Sequence, residues 1–397
     1  MRGPDLSRAP LGDAHNFGRR VTMRGGFVHK PRTLAWEWLV LSRRSPLRRA
    51  LDAAAARRGL EGAFSFLPDL RFRRHASIAG GDVERLSLAP LPARLSRSRR
   101  RSLAVIVGRS LALFSWLGVA DLHWENLAIG QDARGAIVFT PLDVELVLAD
   151  LSLPTETKLL PDPDPEYAEV CRHACGVRRA LPWLGKPVDP RDLVALARAY
   201  RETLELLDDE APALAAVLAR LPFLRDAPIR VCLRGTGDYV RARSEPVWPP
   251  LLDAEAEQLA RGDIPCFFRL YGRPGLRWFG DRSLDTQRCL PRVGDVPRPD
   301  PILSIARGLR APSRRRLREE GLLAVVGAFD HPSLRGRVED DGAAISFGAR
   351  RLVVRLPGGE ELAAPRDLRA LVGSVYLPCR CGEVRAVFVP GVTTCDG

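Results

Sequence analysis

Apolar positions change their spacing several times along the chain, and each change marks an element. The densest apolar run, at 103–117, has helical spacing, and a polar cluster follows it at 118–126. A short strand at 136–139 comes next, then the alternating Leu142-Asp143-Val144-Glu145. Upstream, 12–23 and 27–32 read as two short strands joined by a Gly25-Gly26 turn, with Lys30 near the end of the second. Between 33 and 58, the spacing of Leu34, Trp36, Trp38, Leu39, Leu47 and Leu51 predicts helices separated near Ser45-Pro46. The proline-, arginine- and serine-rich stretch 66–102 reads as irregular. Residues 229–240 alternate as a strand, which puts Arg230, Cys232, Arg234 and Thr236 on one face. The stretch 252–261 predicts a helix that ends at Gly262. In the tail, alternation at 343–347, 352–356, 375–377 and 384–389, with a turn at 357–359, predicts a small strand-rich unit.

The totals bound this picture. A chain of 397 residues with 46% hydrophobic and 27% charged positions buries a sizeable core and divides into two or more domains. Its net charge of +13 would ordinarily point to nucleic acid. Here the charge is almost all arginine spread along the chain, so nucleic acid is not expected as a partner. The clusters at 97–101 (RSRRR) and 314–318 (RRRLR) read as solvated helix faces or loops. Eight cysteines show no regular framework and follow no signal peptide, so reduced thiols and a cytoplasmic location are expected. Cys171-x-His173-x-Cys175 and Cys379-x-Cys381 lack the paired spacing of a structural zinc site. The run at 103–117 is too short to span a bilayer and contains Arg109.

Candidate chemistry gathers at 118–148, where Asp121 stands five positions before Asn126 and the pair Asp143 and Glu145 follows the strand. Phosphoryl transfer uses such a set: an Asp near the attacking hydroxyl, an Asn five residues on that holds magnesium, and a later Asp at a strand end. The spacing alone is also what a helix cap or a closed loop produces. What favours phosphate chemistry is the order: helix, polar cluster, strand, second acidic pair. Lys30 adds a strand-borne point charge for phosphate oxygens, in a chain with only three lysines. Glu37 and Glu61 are both candidates to pair with it. The reading requires Lys30 and Asp143 to meet at one site.

Six motifs then stand in a recognisable order: GDAHNFGRRV at 12–21, HKPR at 29–32, DLHWEN at 121–126, LDVE at 142–145, RVCLRGTGDY at 230–239 and EQLARGDIPCF at 257–267. Together they resemble the dehydratase domain of class II lanthipeptide synthetases. The resemblance covers about residues 10–290 and implies a bilobal lipid-kinase-like core, so that with the small strand-rich C-terminal unit read from alternation the expected fold is α+β. Residues 1–100 would form the N-lobe, 101–300 the C-lobe with an elimination-site strand, and 301–397 a tail of unread role. It implies lanthipeptide-type biosynthesis: ATP and Mg2+ used to phosphorylate Ser and Thr of a ribosomally made precursor peptide, followed by phosphate elimination.

Carried over by position, Lys30 would contact nucleotide phosphate, Asp121 with His123 beside it would orient or deprotonate the hydroxyl, and Asn126 and Asp143 would hold magnesium with Glu145 close by. Asp13, His15, Arg230 and Thr236 would serve elimination, where a base meets the α-proton and a guanidinium takes the departing phosphate. On a straight strand Arg230 and Thr236 would lie roughly 20 Å apart, so a bend at Gly235 or Gly237 is required, or Arg234 shares the work. The GDIP segment at 262–265 carries no chemistry in this reading.

Departures are equally definite. Eleven residues precede Gly12 and the stretch 145–230 is short for the family. His331 is the only histidine after His173, so no cyclase zinc set is present and a separate cyclase joins the precursor peptide as an expected partner. Two rival readings are a phosphotransferase that stops at phosphorylation and a non-catalytic relative that binds peptide or nucleotide.

Overall fold

The computed structural model describes residues 10–366 except 149–150, 152, 162–174, 248–249, 272, 281–283, 285–286 and 290–310. It is a mixed α+β molecule with several antiparallel sheets. The first sheet holds β1 (Pro10–His15), β2 (Arg19–Arg24), β3 (Phe27–Lys30), β4 (Phe72–Arg73) and β5 (Gly81–Glu84) in the order β1-β2-β3-β5-β4. The hairpin turn falls at Gly25-Gly26 as read, with Arg24 facing Phe27. Strands β4 and β5 lie in the stretch read as irregular. At two and four residues they carry too little pattern of their own, and the pairing of β5 with β3 and of β4 with β5 is what makes them strands.

Helices α1 (Ala35–Leu41) and α2 (Pro46–Arg57) part at Ser45, whose hydroxyl accepts from the Arg48 amide at 3.1 Å and donates to the Leu39 carbonyl at 2.6 Å. Pro46 occupies the first helical turn, where its missing N–H costs nothing. Helix α3 (Arg97–Trp116) starts earlier than its apolar run, because Ser96 caps it and the RSRRR cluster forms its first turns. Two of its arginines find partners elsewhere in the molecule: Arg100 pairs with Asp189 and Asp192, and Arg101 with Asp340. After the hairpin β6 (Leu127–Gln131) and β7 (Ile137–Pro141) come the short α4 (Leu181–Leu184) and the 30-residue α5 (Pro190–Ala219).

Helices α3 and α5 form the centre of the main core. A Cβ at Gly108 would lie 2.2 Å from the Leu196 carbonyl oxygen, so a residue without a side chain is what lets these two backbones touch.

A second sheet, in the order β11-β10-β9-β8, contains β8 (Pro228–Val231), β9 (Phe267–Leu270), β10 (Arg273–Phe279) and β11 (Gln287–Cys289). Between β8 and β9 lie α6 (Thr236–Arg241) and α7 (Asp253–Ala260). The strand expected over 229–240 is therefore corrected. It ends at Val231, and Thr236 opens a helix whose Asp238 carboxylate accepts from the Gly235 amide at 3.3 Å.

The tail begins with two helices, α8 (Ala311–Arg318) and α9 (Glu320–Ala328), which the strand-rich reading missed. The second arginine cluster lies on α8, where Arg315 and Arg316 pair four residues on with Glu319 and Glu320. The expected sheet follows as β12 (Gly336–Asp340), β13 (Ala343–Phe347), β14 (Arg351–Arg355) and β15 (Glu361–Pro365), paired in that order. The strands expected at 375–377 and 384–389 lie outside the described residues. Ile345, Phe347, Leu352 and Val354 belong to the same buried cluster as α3 and α5, so the tail sheet shares the main core. Among the described residues no helix is long and apolar enough to cross a membrane.

Candidate functional site

Lys30 is the last residue of β3, opposite Gly81 on β5. Its ammonium donates to Glu37 Oε1 at 2.9 Å and to the Leu142 carbonyl at 2.7 Å, and lies 3.8 Å from Asp143 Oδ2. Of the two glutamates left open by the sequence, Glu37 makes the pair. It projects from α1 and is 1% exposed, whereas Glu61 stands exposed on the turn after α2.

The hairpin explains why Asn126 and Asp143, seventeen positions apart, share this place. Leu127 faces Pro141 in the ladder, and beyond it the Leu142 amide donates to the Asn126 carbonyl at 2.7 Å. The segment after β7 is then tied down on both sides. Ala120 donates to Leu146 at 3.0 Å, and Arg230 on β8 donates through its backbone to Glu145 at 3.1 Å.

Side chains continue the connection. Arg230 ion-pairs with Glu145 Oε1, while Arg32 Nε holds Glu145 Oε2 at 3.0 Å. Arg32 also ion-pairs with Glu37 and with Asp143. Six residues from five parts of the chain, Lys30, Arg32, Glu37, Asp143, Glu145 and Arg230, thus form one continuous network of three cations and three carboxylates. Burial pushes the Asp143 carboxyl up, but Arg32 and Lys30 outweigh it and hold it at about 2. Burial likewise works against the charge on Arg32 and Arg230, and their carboxylates reverse the effect and raise both.

Asp121 occupies a left-handed backbone conformation, φ +62°, uncommon for a residue with a side chain. Its Oδ1 receives the Lys158 ammonium at 2.8 Å, and its carbonyl accepts from the Asn126 amide nitrogen at 2.9 Å. His123 caps the short turn Trp124–Asn126, its Nδ1 accepting from the Glu125 amide at 3.4 Å. The motifs and their spacing give no role to Lys158 or to Arg32, although Arg32 ends the HKPR motif. For Lys158 a signal existed: with three lysines in the chain, a second one could be weighed as Lys30 was. Arg32 was hidden among its many fellow arginines.

The 12–18 segment, which carries Asp13 and His15, is clamped to the loop after α7. Asp263 is 0% exposed and accepts from the Phe17 and Gly18 amides at 2.7 Å each, while Ile264 donates to the Ala14 carbonyl at 2.8 Å. His15 Nδ1 bonds the Ile264 carbonyl at 2.9 Å. The GDIP segment, which carries no chemistry of its own in the sequence reading, therefore seats His15. Burial first, and the nearby Arg230 second, lower the His15 pKa below the ordinary imidazole value, so its ring is neutral at pH 7.

Asp13 stands exposed beside His15. Thr236 is exposed at the start of α6, and among the described residues no hydrogen bond joins it to Arg230, Asp13 or His15. Arg234, weighed earlier for the phosphate, is buried with Glu255 at 2.9 Å and supports the α6–α7 region instead. Cys232 and Cys266 lie one step beyond the last β8–β9 pair, Val231 opposite Phe267, on the face of Arg230.

Among the described residues there is no group of three or more His, Cys, Asp and Glu able to hold a metal. Asn126 and Asp143 supply one amide and one carboxylate oxygen at one hairpin end. Magnesium suits such a sparse set of hard oxygens, since it completes its shell with water and substrate phosphate. The Asn126 amide nitrogen is already committed to Asp121, which leaves its oxygen as the donor. Cys171, His173, Cys379 and Cys381 lie outside the described residues. No family model matches the chain, and no curated protein matches it.

Proposed function

We propose that this protein is an ATP-dependent dehydratase of Ser and Thr in a ribosomally made peptide, built on a kinase-like core and acting by phosphorylation followed by phosphate elimination. The observation that carries this reading is the meeting of Lys30, Glu37 and Asp143 with Asn126 at the adjacent hairpin end. A cation, its buried counter-ion and a carboxylate–amide pair are what phosphoryl transfer needs around a triphosphate.

In the first half-reaction Asp121 accepts the proton of the peptide hydroxyl, whose oxygen attacks the γ-phosphorus while the β,γ-bridging oxygen leaves with ADP. Lys30 holds phosphate oxygens, and Glu37 keeps its ammonium aimed. Lys158 fixes the Asp121 carboxylate. Asn126 and Asp143 would hold magnesium, which when bound offsets phosphate charge. In the second half-reaction a base removes the α-proton, the electron pair forms the Cα–Cβ double bond, and the Cβ–O bond breaks with phosphate as leaving group. The neutral His15 ring suits the base, and Arg230 suits the phosphate because a planar guanidinium takes two oxygens at once. Asp13 and Thr236, both exposed, complete the elimination set of this reading.

Incubation of a Ser/Thr-rich peptide with the protein, ATP and magnesium, read by mass spectrometry, tests the reading. Loss of water supports it, gain of phosphate alone supports a phosphotransferase, and no change supports a binding role. Asp143→Ala is expected to stop the reaction before any phosphate is added, whereas Arg230→Ala or Thr236→Ala is expected to let phosphopeptide accumulate. Dehydrated product from Asp143→Ala would overturn the metal assignment.

A further inference from the structure

Arg32 faces three carboxylates, and two of them have another cation close by: Glu37 has Lys30 at 2.9 Å and Glu145 has Arg230. Asp143 is different. Its other cation, Lys30, stands off at 3.8 Å, and Arg32 holds its Oδ1. We propose that Arg32 is a positioning residue that occupies the metal carboxylate Asp143 when no divalent cation is bound and competes with that cation for it. The proposal rests on the reading of Asn126 and Asp143 as metal-holding residues.

Three features of the site support it. The network is already neutral, with Lys30, Arg32 and Arg230 against Glu37, Asp143 and Glu145, so a dication arriving alone would add two uncompensated charges to a largely buried cluster. A dication arriving with nucleotide brings phosphate charge with it and meets no such penalty. Next, Arg32 can yield Asp143 without leaving, because Glu37 and Glu145 still anchor it. Finally, Glu37 Oε2 is buried without a hydrogen-bond partner among the described residues, which offers a released guanidinium N–H an acceptor on a carboxylate it already touches. Arg32 thereby makes metal binding depend on nucleotide while keeping Asp143 in place between turnovers.

The direction of one change separates this role from simple scaffolding. Mn2+ alone, titrated against the full chain and followed by the electron paramagnetic resonance of the free ion, is expected to bind Arg32→Gln about tenfold more tightly than wild type, because a like charge close to the site is gone. Asp143→Asn is expected to abolish that site in either background. A residue that only supports the fold would, when replaced, weaken the ion or leave it unchanged, and either result overturns the competition. Absence of any Asp143-dependent Mn2+ site in both proteins overturns the metal assignment as well, which distinguishes the two failures. Should Arg32→Gln not fold, Arg32→Lys, which keeps the charge but loses the planar fork, is read in the same way, with a smaller gain expected and no gain overturning the proposal.

Discussion

Asp143 shows how a single carboxylate can be kept ionised by its neighbours. Burial would favour its neutral form, yet Arg32 and Lys30 hold its pKa at about 2, below the ordinary 3.8. A depressed carboxyl contributes stability that is fully present above its unfolded value and lost as pH falls through the folded one. Acid titration of wild type against Asp143→Asn is therefore expected to show a stability difference that is constant above about pH 5 and closes between about pH 4 and about pH 2. His15 shifts the opposite species. Its folded pKa lies below 6.5, so its contribution is present above 6.5 and fades as pH falls through the folded value. If His15 is the base, the acid limb of elimination from a synthetic phosphopeptide should lie below pH 6.5, and His15→Gln should remove that limb. Gly80 sets a tighter constraint still. Its φ is +124° and a Cβ there would lie 2.7 Å from the Lys30 carbonyl oxygen, so Gly80→Ala must displace the end of β3. The expected result is a loss of about 1–3 kcal/mol in a denaturant melt together with loss of phosphoryl transfer.

Among elements, those whose own residues carry their signal were legible. The β2–β3 turn, the break at Ser45-Pro46 and the end of α7 at Gly262 are each specified by local turn or cap chemistry, and the structure has them where the spacing places them. Elements that depend on partners were not. Strand β4 exists because β5 pairs with it, and Thr236 turned from strand to helix because Asp238 caps Gly235, a contact that alternation does not reveal. The site divides the same way. Spacing brings forward Lys30, Asn126 and Asp143 as candidates, but the pairing of Lys30 with Glu37 rather than Glu61 and the ion pair of Arg32 with Asp143 needed three dimensions. Two consequences can be measured. Gly108→Ala should force α3 off α5, because the new methyl would meet the Leu196 carbonyl, and lower stability by about 1–3 kcal/mol in thermal melts. Burial pushes the Cys266 thiol up to about 11 and raises Cys232 as well, so at pH 8 iodoacetamide should label the exposed Cys289 well before either, as read by peptide mass spectrometry.

At the scale of the molecule, the C-terminal sheet is part of the core rather than an appendage. Ile345, Phe347 and Val354 bury against the same cluster as α3 and α5, and Arg101, Arg198 and Arg201 reach across to Asp340, Asp341 and Glu360. Those surface pairs contribute little each, whereas the apolar contact contributes much. Deletion of 336–365 should therefore broaden and lower the melting transition, while Arg101→Ala should leave it almost in place. The first sheet has one more consequence. It carries His15 on β1 and Lys30 on β3, and the chain of contacts from Lys30 through Asp143, Arg32 and Glu145 to Arg230 has no gap. On the proposed reading, a side chain esterified near Lys30 would reach Arg230 by pivoting along this array. An alkaline phosphatase added in excess during turnover should then find no free phosphoester to intercept, and the yield of dehydrated peptide should stay the same.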